Sequence, residues 1–313
     1  MPAPTENASA FPAPAIAGSD RPPRPAATIV VVRDGAQGLE VLLSRRAERG
    51  DHNSGAWVFP GGIVERNDAL AHAAVAGLDD ETASRRLGLA SGGLDYYVAA
   101  IRECFEESGL LFARADAPAL VDLDGSDAVR LAPWRGALHR GEKGIAEFCA
   151  AEGLHLAADR LVYLSHWLTP LGRAKRFDTR FFIAAVPTAQ TAAHDGAELL
   201  EQMWIAPKEA LARKASLKLL TPTQKSLETI GRFASVAEAM AWASAPRQVA
   251  LVMPRVASGR DGFRPVMPDE YPWAEVGASI PPATATRRTS SFPTARFASP
   301  SASSASPPTT AAS

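Results

Sequence analysis

Residues 102–110 run Arg-Glu-Cys-Phe-Glu-Glu-Ser-Gly-Leu. Helical periodicity from Tyr96 to Ser108 puts Tyr97, Ile101, Cys104 and Phe105 on one apolar face, and Gly109 stands where a C-cap glycine ends such a helix. Residues three and four apart are neighbours on a helix, so Glu103, Glu106 and Glu107 converge on one edge. Carboxylates held that close repel and raise one another's pKa, which is no way to stabilise a helix. A hard divalent cation, Mg²⁺ or Mn²⁺, removes the conflict because it takes several oxygen ligands. Arg102, one turn before Glu106, is placed to hold a carboxylate through a charge-assisted bond. The plainer reading is a solvated acidic helix end with an Arg–Glu pair. Upstream, Phe59-Pro60-Gly61-Gly62 makes a turn whose backbone another group can approach closely. Taken alone, that too is an ordinary turn.

Around this segment the chain divides by composition. Its 25 prolines crowd the two ends. Residues 1–25, rich in Pro and Ala, read as a disordered leader. From about 276 Ser, Thr, Ala and Pro dominate, and the extension 256–313 is expected to be largely disordered from there. The stretch 256–275 is left open, with Phe263, Tyr271 and Trp273 as residues able to dock. The compact domain is expected over 26–255. Within it, 26–34 is a β-branched strand and 39–47 a second one, making a hairpin. Residues 55–65 form a strand broken at Pro60-Gly61-Gly62. Residues 69–90 look helical up to Gly88, and 110–114 looks like a strand. Helices over 126–152 are expected to break at Pro133 and Gly141. Residues 161–170, 177–187 and 201–207 read as strands, and 221–243 as one or two helices. Strands and helices mix without strict alternation, which predicts an α/β (α+β) fold with helices against a mixed sheet.

Composition bounds the function. At 46% hydrophobic the chain can bury a sizeable core. Its net charge of -1 argues against a broadly basic nucleic-acid binder. Apolar runs such as Phe181–Val186 are strand-sized, so no membrane span is expected. The start lacks a basic, then apolar, secretory pattern. The two cysteines, Cys104 and Cys149, make no disulfide framework and fit a reducing compartment. Cys104 falls on the packed face of its helix and reads as a core residue. The six histidines show no zinc spacing.

The glycine turn and the acidic helix together resemble the Nudix box of the Nudix hydrolases. The family pattern is Gly, five residues, Glu, seven residues, then Arg-Glu-apolar-X-Glu-Glu-X-Gly-apolar. Arg102, Glu103, Cys104, Glu106, Glu107, Gly109 and Leu110 match its second half, and Gly62 begins the first. Where the family has Glu this chain has Asp68, and 33 residues rather than seven separate Asp68 from Arg102. One branch, the peroxisomal coenzyme A diphosphatase type with its bacterial relatives, carries a long insertion there. The Ala-rich segment 69–94 is similar to that insertion, and 69–101 would hold it with the start of the box helix. His166-Trp167-Leu168-Thr169-Pro170, Arg176 to Phe182, Glu198 to Pro207 and Leu220 to Thr223 also look like that branch. The resemblance covers about 26–245 and implies an α/β/α sandwich with a mixed sheet, plus a helical insertion.

It further implies a metal-dependent hydrolase that cleaves the pyrophosphate of a nucleoside diphosphate derivative. Glu103, Glu106 and Glu107 would bind Mg²⁺ or Mn²⁺ with a backbone carbonyl near Gly62, and Asp68 would assist at a second metal. The general base would be Glu103 or an acid from a later loop: Asp195, Glu198 or Glu201, with Glu198 preferred. Leu42-Leu43-Ser44-Arg45-Arg46 leading to Gly55–Gly62 is similar to the coenzyme A signature, apart from one Arg position that does not line up. Arg45, Arg46 and Arg176 are thus candidate substrate binders, and Arg173, Lys175 and Arg180 extend the second basic stretch. Both clusters equally fit solvated faces. Trp57, Trp167, Phe177 and Trp204 read as packing before adenine stacking. The expected substrate is coenzyme A or acyl-coenzyme A, cut to 3′,5′-ADP and 4′-phosphopantetheine. Another nucleotide such as ADP-ribose, NADH or a dinucleoside polyphosphate is the alternative, as is a non-catalytic nucleotide-sensing module. The expected partner is a small nucleotide, with no nucleic acid or membrane; oligomeric state is left open. The terminal Thr-Ala-Ala-Ser is no peroxisomal signal, and alanine-rich composition suits a bacterial cytoplasmic protein.

Overall fold

Thr28–Val32 is apolar or β-branched at every position, so a strand built from it buries both faces and belongs inside a sheet. The computed structural model of the protein describes residues 22–47, 54–171, 173, 175–194, 199–259 and 262–270. Tyr271, Trp273 and nearly all of both expected tails lie outside the described residues.

The chain opens with strands β1 (Arg24–Gly35), β2 (Gly38–Arg46), β3 (Trp57–Val58) and β4 (Gly61–Ile63). A 3₁₀ turn at Asp68–Ala74, β5 (Val75–Ala76), α1 (Asp80–Leu87) and α2 (Gly93–Ser108) follow. Next come β6 (Ala113–Arg114), α3 (Ala128–His139), α4 (Ile145–Glu152), β7 (His155–Ala157), β8 (Val162–Leu168), β9 (Phe177–Ala185) and β10 (Leu199–Ile205). The described part closes with α5 (Pro207–Ala212), α6 (Thr221–Ile230), α7 (Val236–Ser244), β11 (Leu251–Val252), β12 (Arg255–Gly259) and β13 (Gly262–Val266).

The main sheet runs β10-β2-β1-β9-β8-β11, with β3 on β2 and β4 on β1. β1 is antiparallel to β2 and β4 but parallel to β9, so the sheet is mixed. Alternation divides β1 between two cores. Ile29 and Val31 pack with Tyr97, Ile101, Cys104 and Phe105 of α2, while Val30 and Val32 pack with Leu227 of α6 and Ala239 of α7. Helices on both faces give the expected sandwich.

The box helix begins earlier than expected, at Gly93. A Cβ there would overlap the backbone of Ser84, so the glycine lets α1 and α2 approach closely. The insertion is less helical than expected: only Asp80–Leu87 is α-helix, ended by Gly88 in the left-handed region. Gly77, at φ 76°, breaks the preceding segment, and Asp79 caps α1 through the Thr82 amide. Pro133 does not stop α3, which runs on to His139. The carbonyl it leaves unpaired belongs to Val129, which is 88% exposed and open to water. Leu110–Phe112 does not join a sheet, because Leu111 gives its amide and carbonyl to the Gln190 side chain.

The fold passes both expected limits of 26 and 255. Arg24 and Pro25 pair with Phe177 and Asp178, and Val266 and Met267 are buried, Met267 in the second core. A chain of residues 22–255 is therefore expected to lose about 2–4 kcal/mol relative to 22–270, seen as a Tm several degrees lower. Equal melting temperatures would show that this docking adds nothing. Among the described residues no helix is long and apolar enough to cross a membrane.

Candidate functional site

β4 brings the glycine turn beneath α2. The bonds Ile29 N–H to Pro60 O and Val64 N–H to Pro25 O flank the Ala27–Gly62 pair. Antiparallel pairs alternate between bonded and non-bonded positions, so Gly62 spends its backbone groups on Ala27. Gly61, opposite Thr28, turns its own groups away from β1, and its N–H donates to Glu107 Oε2 at 2.9 Å. The Gly61 carbonyl therefore points away from β1 on the side of the acids, which moves the carbonyl expected at Gly62 to Gly61. The second glycine serves differently: a Cβ on Gly62 would overlap the Glu103 carboxyl.

Arg102 is the hub of the acids. Its Nε and one terminal nitrogen donate to the two oxygens of Asp68 at 2.8 and 3.2 Å. The other reaches Glu103 Oε1 at 2.9 Å and Glu106 Oε1 at 3.4 Å, and the Ile63 carbonyl is bonded at 2.9 Å. Asp68 is fully buried and also accepts the Glu65 amide. Its oxygens are thus committed behind the guanidinium, which corrects its assignment as a second-metal ligand. A shorter side chain at this point reaches Arg102 rather than the cleft.

Negative charge outweighs the one arginine. Burial pushes the Glu106 carboxyl up to about 7; Arg102 opposes this, while Glu103 and Glu65 push the same way. Glu65 is a fifth acid that sequence reasoning missed, although it lies only three residues past Gly62. Burial works against the Arg102 charge, but Asp68, Glu103 and Glu106 together hold its pKa above the ordinary arginine range. An excess of buried oxygen donors with the Gly61 carbonyl beside them suits a hard divalent cation. Among the described residues no three His, Cys, Asp or Glu side chains gather at coordinating spacing. Glu103 and Glu106 are turned onto Arg102 and Glu107 onto the Gly61 amide, so their chemistry fits a cation while their rotamers serve internal partners.

The basic candidates separate by strand parity. Arg45 lies directly opposite Trp57 and beyond Leu43, both in the second core, so it faces away from α2. It is paired with Glu201 at 2.6 Å. This corrects Arg45 as a substrate contact and Glu201 as a base. Arg46 has the other parity, that of Leu42 and the α2 face. Arg176 donates through Nε to the Thr169 carbonyl at 3.1 Å. Arg180 is buried, ion-paired to Asp178 at 2.6 Å and set over the Tyr96 ring, which corrects it as a phosphate contact. Asp195 and Glu198 lie outside the described residues. On β10 the residue facing α2 is Gln202, whose Nε2 donates to the Glu107 carbonyl at 3.1 Å. Alternation from Trp204 would have found it. Trp57 and Trp167 are packed in the second core, as expected. Cys104 is fully buried, which pushes its thiol up to about 12 and makes it inert.

A family model described as the NUDIX domain matches residues 22–136, and one described as the NUDT19 Nudix domain matches 81–226. The acyl-coenzyme A diphosphatase NUDT19 of Xenopus laevis is 28% identical over 221 residues, covering 60% of this chain and 58% of that protein. Its namesake from Gallus gallus is 29% identical over 222 residues, covering 59% of each. The chain thus spans about three-fifths of the length of these curated relatives. A crystal structure of a Nudix hydrolase from Alicyclobacillus acidocaldarius aligns with TM-score 0.60 at 27% identity, covering 73% of this chain and 100% of that one.

Proposed function

We propose that this chain, which belongs to the Nudix hydrolases, cleaves the pyrophosphate bond of coenzyme A or an acyl-coenzyme A to 3′,5′-ADP and (acyl-)4′-phosphopantetheine. The observation that carries the hydrolase reading is the meeting of Glu103 and Glu107 with Gly61 and Gly62 beneath one buried arginine. The names of the curated relatives support the coenzyme A substrate.

Glu103, Glu106 and Glu107, with the Gly61 carbonyl, are the groups to hold Mg²⁺ or Mn²⁺. When bound, such a cation neutralises pyrophosphate charge and lowers the pKa of water. Arg102 fixes the directions of Glu103 and Glu106, and Asp68 fixes Arg102. Arg46 and Arg176, with Arg173 and Lys175 of the same basic stretch, are the remaining candidates to meet phosphate oxygens. Glu198 is the first choice to take the proton from the attacking water, with Glu103 the alternative.

The test is a substrate panel with Mn²⁺: coenzyme A, ADP-ribose, NADH, dinucleoside polyphosphates and nucleoside triphosphates. Coenzyme A or its thioesters are expected to give the highest kcat/KM. A strong preference for ADP-ribose would remove the coenzyme A assignment and leave the hydrolase. No turnover of any member would favour the nucleotide-sensing module.

A further inference from the structure

An α-helix leaves its last four carbonyls without intrahelical partners. In α2 these belong to Phe105, Glu106, Glu107 and Ser108, so two of the four sit on proposed cation-binding residues. All four are satisfied. Gly109 N–H donates to the Phe105 carbonyl at 3.0 Å and Ala193 N–H to that of Ser108 at 2.8 Å. The middle two are taken by one side chain from α3. Arg135 donates through Nε to the Glu106 carbonyl at 2.9 Å and through a terminal nitrogen to the Glu107 carbonyl at 3.0 Å. That same nitrogen reaches the Ala193 carbonyl at 2.6 Å. Gln202 of β10 donates to the Glu107 carbonyl from another side at 3.1 Å.

We propose that Arg135 is a positioning residue that sets the last turn of the box helix, and with it the Glu106 and Glu107 carboxylates, for cation binding. The inference rests on the metal-dependent reading of that site. A carboxylate's reach is decided by where its Cα and χ1 start, and the guanidinium clamps the peptide groups of both residues at once. Its planar fork does this with nitrogens in fixed relation, which a single ammonium does not reproduce. A positive charge also belongs at this end of a helix, where the macrodipole is negative. Gly109 makes the room: a Cβ there would stand 3.0 Å from an Arg135 terminal nitrogen.

The experiment compares Arg135→Ala, Arg135→Lys and Gln202→Ala with the full chain. Arg130→Ala is the control, a variant on the same helix whose partners are Asp127 and Glu152. Mn²⁺ affinity is read by titration calorimetry without substrate, alongside kcat, KM and Tm. Arg135→Ala is expected to weaken Mn²⁺ binding roughly tenfold to a hundredfold, as loss of a group orienting ligands does, and to lower kcat at saturating Mn²⁺ more than it raises KM. Arg135→Lys should recover part of the affinity, and Gln202→Ala should show a smaller loss. Wild-type Mn²⁺ affinity in Arg135→Ala, or losses matched by Arg130→Ala, would overturn the proposal. If Arg135→Ala does not fold, Arg135→Lys and Gln202→Ala decide: both at wild-type affinity overturn it, and graded losses support it. Absence of Mn²⁺ binding by the wild type would instead remove the metal-dependent reading itself.

Discussion

Glu107→Gln is expected to lower kcat by a factor on the order of a hundred or more, the scale for losing a key charge-stabilising group. The amide is nearly isosteric and keeps an oxygen to accept the Gly61 amide, now at 2.9 Å from the carboxylate. The glycine turn therefore stays under the helix and Tm should change little. What is lost is one negative charge from the donor set, so Mn²⁺ binding should weaken in parallel with turnover. Glu201→Gln is the matched control, because Glu201 faces the other side of the sheet in a half-exposed pair with Arg45. Wild-type turnover in Glu107→Gln would remove the metal assignment from this helix.

Arg102→Met is expected to have the largest effect on stability. The side chain of Arg102 is 7% exposed and that of Asp68 0%, so removing the cation strands a buried carboxylate beside Glu103 and Glu106. Breaking such a buried pair from one side costs about 3–5 kcal/mol, or roughly 10 °C in Tm for a domain of this size. Asp68→Asn should cost less, since an amide oxygen still accepts from Arg102. The pair of variants also separates two roles for Asp68. If it holds Arg102, Asp68→Asn lowers Tm and weakens Mn²⁺ binding only slightly. An unchanged Tm with strongly weakened Mn²⁺ binding would restore Asp68 as a ligand.

The box helix was legible because its cues are local. Its apolar face repeats with the helical period, its acids fall three and four apart, and Gly109 marks the end, taking φ 74° as the C-cap. β1 was legible for the same reason, its β-branched run being buried on both faces. The limits were less so. Val266 and Met267 fall in the stretch 256–275 that composition leaves open, and only the packing buries them, Met267 in the second core.

The side chains' directions were decided elsewhere. Arg45 looked equivalent to its neighbour Arg46, and Gln202 beside Glu201 drew no notice, yet strand alternation sends one of each pair to the far face. Asp68 looked like a ligand until Arg102, 34 positions away, was found to hold both its oxygens. Arg135 carries no motif at all; its role exists only because α3 packs against the end of α2. The sequence by itself determined which residues carry charge, where the helix and strands run, and which family they resemble. The tertiary structure alone decided which charges face one another, because buried charges are settled by partners that long-range packing brings within hydrogen-bond reach.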